Sequence, residues 1–446
     1  MTTASDAIAA FAAALDIARV DPALVEKAKD HLLDTLGVAC AGLNDRLTRP
    51  VAAVVQRWGG APEAGVIGCG LRLPAPKAAF LNALHGRIHT FDDTHEAGPS
   101  HPGSSVVAAA LAAAELARAS GRTLLAALLA GYETATRVSA ALGSGHYDLG
   151  FHSTGTATPF GGAAAASRAR GLDAPCTAGA LGLAGEAAIG LRQYQQDGSM
   201  LDSALNGARG AELGVVAAEF AEAGASGPRG VLDGSFGVLK VMGKGAADSL
   251  AQDLGKRWEF ANTALKPYAS CRFTHGPVEV LQAAKLDHRQ IESVEVTTFR
   301  TSIDVADRPD PRDRLEAILS HQAAAALALL GRAVVPQDLD PLDAPARALA
   351  GRVRVIHDPA LDAAYPRRWP HRIVVAMRDG RRVTLESDLP PAADRATIIA
   401  KFRALAAPVL GAARAEEIVG AVARLESLPD LGPLLRPLHG GLAEAA

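Results

Sequence analysis

Aromatic side chains make up only 4% of the 446 residues, so large rings cannot fill the interior and small aliphatic groups in closely packed elements must do so. Cysteine is scarcer still. Cys40, Cys69, Cys176 and Cys271 lie far apart and form no C-x-x-C pair, which speaks against a structural zinc and fits a reducing, cytoplasmic setting. The opening M-T-T-A-S-D has no basic segment followed by an apolar one, so no secretory leader is expected. No run reaches the ~18 consecutive apolar residues of a membrane span. Lys+Arg 45 against Asp+Glu 48, a formal net charge of −3, gives no basic field for nucleic acid. Neither G-x-x-x-x-G-K-[ST] nor G-x-G-x-x-G after a strand occurs, which leaves phosphate cradles and dinucleotide folds without support. With no nucleic acid and no membrane as partner, the expected ligand is a small molecule.

What the chain does have is alanine and a hydrophobic fraction of 49%, enough for a large core. Its length exceeds the roughly 250–300 residues at which single cores stop growing, so two domains are expected. Helical periodicity with Ala, Leu and Val on the apolar side recurs at 5–15, 25–40, 77–89, 106–120, 124–142, 154–170, 178–189 and 204–223, separated by Gly/Pro/Asp turns. The character changes near residue 265. Segments 293–299, 353–357, 372–377 and 382–385 are β-branched and alternating, whereas 278–285 and 317–330 read as helices. Residues 393–406 and 412–425 return to helix. The expected fold class is mainly α with an α+β domain: a large all-helical domain of residues 1–264 and 394–446, and a smaller α+β lid domain of residues 265–393 inserted into it.

Proton-handling side chains are concentrated in residues 85–101, H-G-R-I-H-T-F-D-D-T-H-E-A-G-P-S-H, which hold four of the 13 histidines together with Asp92, Asp93 and Glu96. The apolar stripe Phe80, Leu81, Leu84, Ile88 puts His85 and His89 one turn apart on a helix, which stops at the acidic turn. Ser104 and Ser105 can cap the helix that follows. Any one of these residues is more readily read as structural, a core histidine or an Asx turn. Several imidazoles and carboxylates buried together cost stability, and that density favours a site. Three further stretches carry polar groups that packing does not require. Residues 144–160 bring His146, Tyr147 and His152 into a Gly-rich loop ahead of a helix N-terminus able to hold an anion. D-G-S-M at 197–200 and K-P-Y-A-S-C-R-F-T-H-G at 266–276 are the others.

In order along the chain, H-T-F-D-D-T-H…H-P-G, G-Y-E-T-A-T-R-V, G-H-Y-D-L-G-F-H-S-T-G-T, D-G-S-M, K-P-Y-A-S-C-R-F-T-H-G, Y-P-R-R-W-P and K-F-R-A-L-A resemble the MmgE/PrpD family. Its members include 2-methylcitrate dehydratase, cis-aconitate decarboxylase and iminodisuccinate epimerase. The resemblance implies a helical domain with a smaller α+β lid, a homodimer, and a small polycarboxylate substrate. It also implies that no metal and no organic cofactor takes part. Matched residue by residue, the site looks like Asp92, Asp93, Thr94 and His101, then Tyr147 and His152, then Lys266 and His275, with Arg272 and Ser199 as further substrate contacts. Three positions depart from the family pattern: Thr90 replaces an Asp, Asp202 a Lys, and Ala323 a Tyr.

Proton abstraction next to a carboxylate needs a base titrating near neutrality and cations for the enolate-like oxygens, which His and Lys supply. Tyrosine and lysine would each need a shift of about three pKa units to act as base at pH 7 and histidine almost none. The expected assignment is therefore His152 as base, His101 or Tyr147 as proton donor on the opposite side, and Lys266 on the carboxylate. His152 could instead merely cap the helix near Ser153. The implied reaction is a 2-methylcitrate dehydratase-like lyase, with epimerase or decarboxylase as alternatives. A metal-dependent hydrolase using His85, His89, Asp92 and Asp93, and a binding paralogue without turnover, are the readings from other classes.

Overall fold

The computed structural model describes residues 2–243, 245, 247–365 and 367–440. Its first part is a helical body: α1 (Ala4–Ala14), α2 (Pro22–Gly42), α3 (Thr48–Trp58), α4 (Ala75–Arg87), α5 (Gly103–Leu116), α6 (Gly121–Asp148), α7 (Ser153–Ala169), α8 (Ala174–Ala184), the single turn α9 (Tyr194–Asp197) and α10 (Met200–Glu222). The starts are written in the sequence. Asp21 accepts from the Ala23 amide with Pro22 at the first helical position, Ser120 accepts from Thr123, and Asp173 accepts from Cys176.

The centre of the body is α7, packed against α5, α6 and α10, with α4 against α5 and α10. Small residues make these contacts, as the scarcity of aromatics implies. Gly162 and Gly214 lie so close that a Cβ added to Gly214 would sit 2.6 Å from the Gly162 carbonyl carbon, and one on Gly161 would sit 2.7 Å from the Ala135 methyl. Backbones this close leave room only for glycine.

The second part carries a four-stranded sheet in the order β6-β5-β7-β8, from β5 (Ile291–Thr298), β6 (Val353–His357), β7 (His371–Met377) and β8 (Arg382–Ser387). β5 and β6 pair in parallel and the other neighbours antiparallel. Alternate residues of β7 are buried, which is the period of two that marked it in the sequence. Helices His275–Ala284 and His321–Leu329 pack on this sheet and on each other. The last long helices return to the first part, where Arg395–Leu410 packs on α2. No described helix is long and apolar enough to cross a membrane.

Four local expectations need correction. α3 was not expected, because T-R-P-V-A-A-V-V-Q-R-W buries only Thr48 and Val55 and so carries a thin apolar stripe. Residues 146–148, expected in a Gly-rich loop, form the last turn of α6 beyond a kink where Gly143 adopts φ 62°. The expected helix 317–330 is broken at Ser320, whose hydroxyl accepts from the Ala323 amide and starts a new helix. Strands also occur in the first part as two-residue pairs. β1 (Ala64–Gly65) pairs with β2 (Arg72–Leu73), and β3 (Thr94–His95) with β4 (Thr263–Ala264).

Candidate active site

The β3–β4 pair sets up the site, because it fixes Thr94 beside Ala264 and so brings the histidine-rich stretch to Lys266. A bridge between His95 and Ser100 closes the loop that leads to His101. A second bridge, Phe151 to Leu191, holds the α6–α7 junction against the segment that carries Tyr194 and Gln195. These connections surround a cavity of about 540 Å³. Of the expected residues, Thr94, His101, Tyr147, His152, Lys266 and Arg272 line it.

Two of the histidines that line the cavity, His101 and His152, are held in opposite tautomers. His101 Nδ1 lies 2.6 Å from the backbone carbonyl oxygen of Asp93. A carbonyl can only accept, so Nδ1 carries the proton and Nε2 keeps a lone pair. The amide N–H of Thr154 donates to His152 Nδ1 over 3.2 Å. An amide can only donate here, so the proton of neutral His152 is on Nε2. The rings are nearly parallel, 16° apart, with centroids separated by 6.0 Å. Burial, then the charge of Arg87, pushes His152 down to about 3, and the same causes hold His101 well below its usual value. Both imidazoles are neutral at pH 7.

The other lining groups are also restrained. Lys266 Nζ donates to the Thr90 carbonyl over 2.6 Å, and burial brings its pKa down to about 8 against the opposing pull of Asp92. Thr90 itself lines the cavity at φ 48°, a left-handed conformation unusual for a β-branched residue. Tyr147 hydrogen-bonds Gln195 over 3.2 Å beneath the Arg192 guanidinium, and burial raises its phenol to about 12. Arg272 reaches Glu96 from Nε over 3.1 Å and also donates to the carbonyls of Pro390 and Pro391.

Four expected site residues stand outside the cavity lining. Asp92 accepts from Arg87 over 2.8 Å, and burial raises its carboxyl. Asp93 accepts from the Gly103 amide at the start of α5 over 2.9 Å and pairs with His31 over 3.0 Å. His275 accepts from Arg272 and donates to the Ser270 carbonyl over 3.1 Å, which orients that arginine. Ser199 is the residue before α10 and makes no side-chain cap. Buried polar partners claim the side chains of Asp92, Asp93 and His275. Among the departures, Asp202 is exposed and Ala323 buried, and neither lines the cavity.

Sequence reasoning missed Arg87, a cavity-lining residue between His85 and His89. Residues two apart face opposite sides of a helix, so His85 points away from the cavity and Arg87 toward it, while His89, expected on the same helix, lies in the turn beyond α4, which ends at Arg87. His85 and His89 do not line it, and His89 Nε2 reaches the Ala41 carbonyl over 3.3 Å. Among the described residues no group of three or more His, Cys, Asp and Glu is placed to hold a metal ion. Behind the site, Lys401 Nζ donates to the carbonyls of Phe91 (2.7 Å) and Lys266 (3.1 Å) and pairs with Asp34 (2.7 Å). His95 ties the site loop to Glu259 over 3.1 Å, and that bond holds the Glu259 carboxyl down at about 2.

Cis-aconitate decarboxylase from Aspergillus terreus is 28% identical over 93% of this chain and 92% of its own length. The cis-aconitate decarboxylase-like protein oryM from Aspergillus oryzae is 28% identical over 94% of each. These relatives support an enzyme of lyase type. The MmgE/PrpD N-terminal domain matches residues 6–251 and the MmgE/PrpD C-terminal domain residues 268–427, so together they cover most of the sequence, and the chain belongs to the MmgE/PrpD family.

Proposed function

We propose that the protein is a cofactor-independent lyase for a small di- or tricarboxylic acid, acting by proton transfer at the carbon next to a carboxylate. The observation that carries this reading is the pair of cavity imidazoles in opposite tautomers beside Lys266. His101 Nε2, with its lone pair, takes the proton. His152 Nε2–H donates to the oxygen where charge develops, and its capping bond to Thr154 fixes it in that form. This reverses the assignment made from sequence, where His152 was the base. Lys266 binds the carboxylate whose α-proton is removed. A bound polyanion offsets the cationic neighbours that depress His101, so the base gains strength when substrate arrives. Tyr147, with its phenol near 12, serves as a donor and not as a base.

The test is deuterium exchange at the substrate α-carbon in D2O for His101→Gln and His152→Gln. Exchange should vanish in His101→Gln and survive, slowed about 10²–10³-fold, in His152→Gln. Full exchange in both would remove the imidazole mechanism. The same pair suits an epimerase, since one group accepts and the other donates across about 6.0 Å between rings. Product analysis by NMR separates water loss, CO2 loss and inversion. We also propose a homodimer, supported by the exposed Leu149, Ile189 and Leu191 (62%, 57% and 59%) beside the α6–α7 junction. Light scattering giving a monomer mass at micromolar concentration would contradict it.

A further inference from the structure

We infer that Arg87 binds a substrate carboxylate and sets the preference of the cavity for acids with more than one such group. This rests on the polycarboxylate reading above and goes beyond it by naming the residue that counts the charges.

A guanidinium has five N–H donors, and burial makes each unused one costly. Two almost fully buried arginines show the contrast. Arg137, away from the cavity, donates from Nε to Glu133, from NH1 to the carbonyls of Ser249, Leu250 and Gln252, and from NH2 to the carbonyl of Arg257. Arg87, 2% exposed and on the cavity wall, makes one hydrogen bond among the described residues, from NH1 to Asp92 Oδ1 over 2.8 Å. Its Nε is buried without a partner, as is Asp92 Oδ2. If the role of Arg87 were only to neutralise Asp92, the two would form the bidentate pair their shapes allow. They do not, and Arg87 lines the cavity that an incoming anion enters.

The surroundings agree. Lys266 has three donors and uses one, on the Thr90 carbonyl. Arg272, the other cation from the expected set, is already engaged by Glu96, Pro390, Pro391 and His275. Free cationic donors therefore gather at the Arg87–Lys266 end. Arg87 and Lys266 thus offer a cationic group for each of two carboxylates, while Asp92 stays outside the lining as the partner of Arg87. After burial, the Arg87 charge also depresses His101, His152 and Lys266, so an anion bound to it sits next to the groups that move the proton.

Isothermal titration with three saturated probes, propane-1,2,3-tricarboxylate, succinate and butyrate, tests this. The variant is R87Q/D92N, which exchanges the buried ion pair for a neutral amide pair and avoids a stranded carboxylate. The wild type should bind the tricarboxylate most tightly. The double variant should lose at least tenfold in tricarboxylate affinity and less than twofold for butyrate, so that the preference collapses. R87K keeps the charge and the partner but not the fork, and should lose at least threefold; it serves also if the double variant fails to fold. Unchanged tricarboxylate affinity in the folded double variant, or in R87K, overturns the assignment alone. An equal loss for all three probes also overturns it, since Arg87 would then only shape the wall. A wild type that binds none of the probes removes the polycarboxylate reading and this assignment with it.

Discussion

Lys266 shows how one residue can set the working pH. Its amine is protonated below about 8 and neutral above, and only the ammonium holds a carboxylate. kcat/KM should therefore fall as pH rises through 8, close to tenfold per unit at the far end, and Lys266→Met should combine low activity with loss of that alkaline limb. A pH–rate profile of the two proteins checks both. At this scale the sequence was readable where chemistry and motif coincided, as for His101, His152 and Lys266. It was unreadable where a neighbour decided the direction of a side chain. Asp92 and Asp93 belong to the acidic turn that seemed most reactive, yet Arg87, His31 and the Gly103 amide take them behind the wall.

At the scale of elements, α7 is the part to disturb. Gly214→Ala would drive a methyl to 2.6 Å from the α7 backbone at Gly162. It should destabilise by about 1–3 kcal/mol through overpacking, seen as a lower Tm, while Gly171→Ser in the open turn after α7 meets no atom and costs only the strain of its left-handed φ of 71°. A Gly214→Ala protein melting at the wild-type temperature would mean that the helices can separate. Periodicity located most helices and all four strands of the sheet to within a few residues, because their apolar residues recur with the period of the element. It failed for α3, where only two residues are buried, and for residues 146–148, where helical backbone resumes after the Gly143 kink.

For the whole molecule, several histidines are buried neutral. His85, His152 and His371 have folded pKa values of about 4, 3 and 4, against ~6.5 in an unfolded chain. Between those values the unfolded chain binds protons that the folded one refuses, so their stability contribution is complete above pH 6.5 and is lost as pH falls toward 4. Denaturant midpoints should drop between pH 7 and 5 by an amount on the order of 2–6 kcal/mol of unfolding free energy; a flat response would mean that these sites admit water. The overall fold was legible because the change of period near residue 265 is abrupt. The closing of the cavity from behind was not, since nothing in K-F-R-A-L-A tells that Lys401 will reach the carbonyls of Phe91 and Lys266. That reach has a bearing on synthesis. Every lining residue of the cavity has been translated by Trp369, yet the ammonium that pins two of its backbone carbonyls comes later. A nascent or truncated chain ending before Arg395 thus carries every lining side chain without that pin.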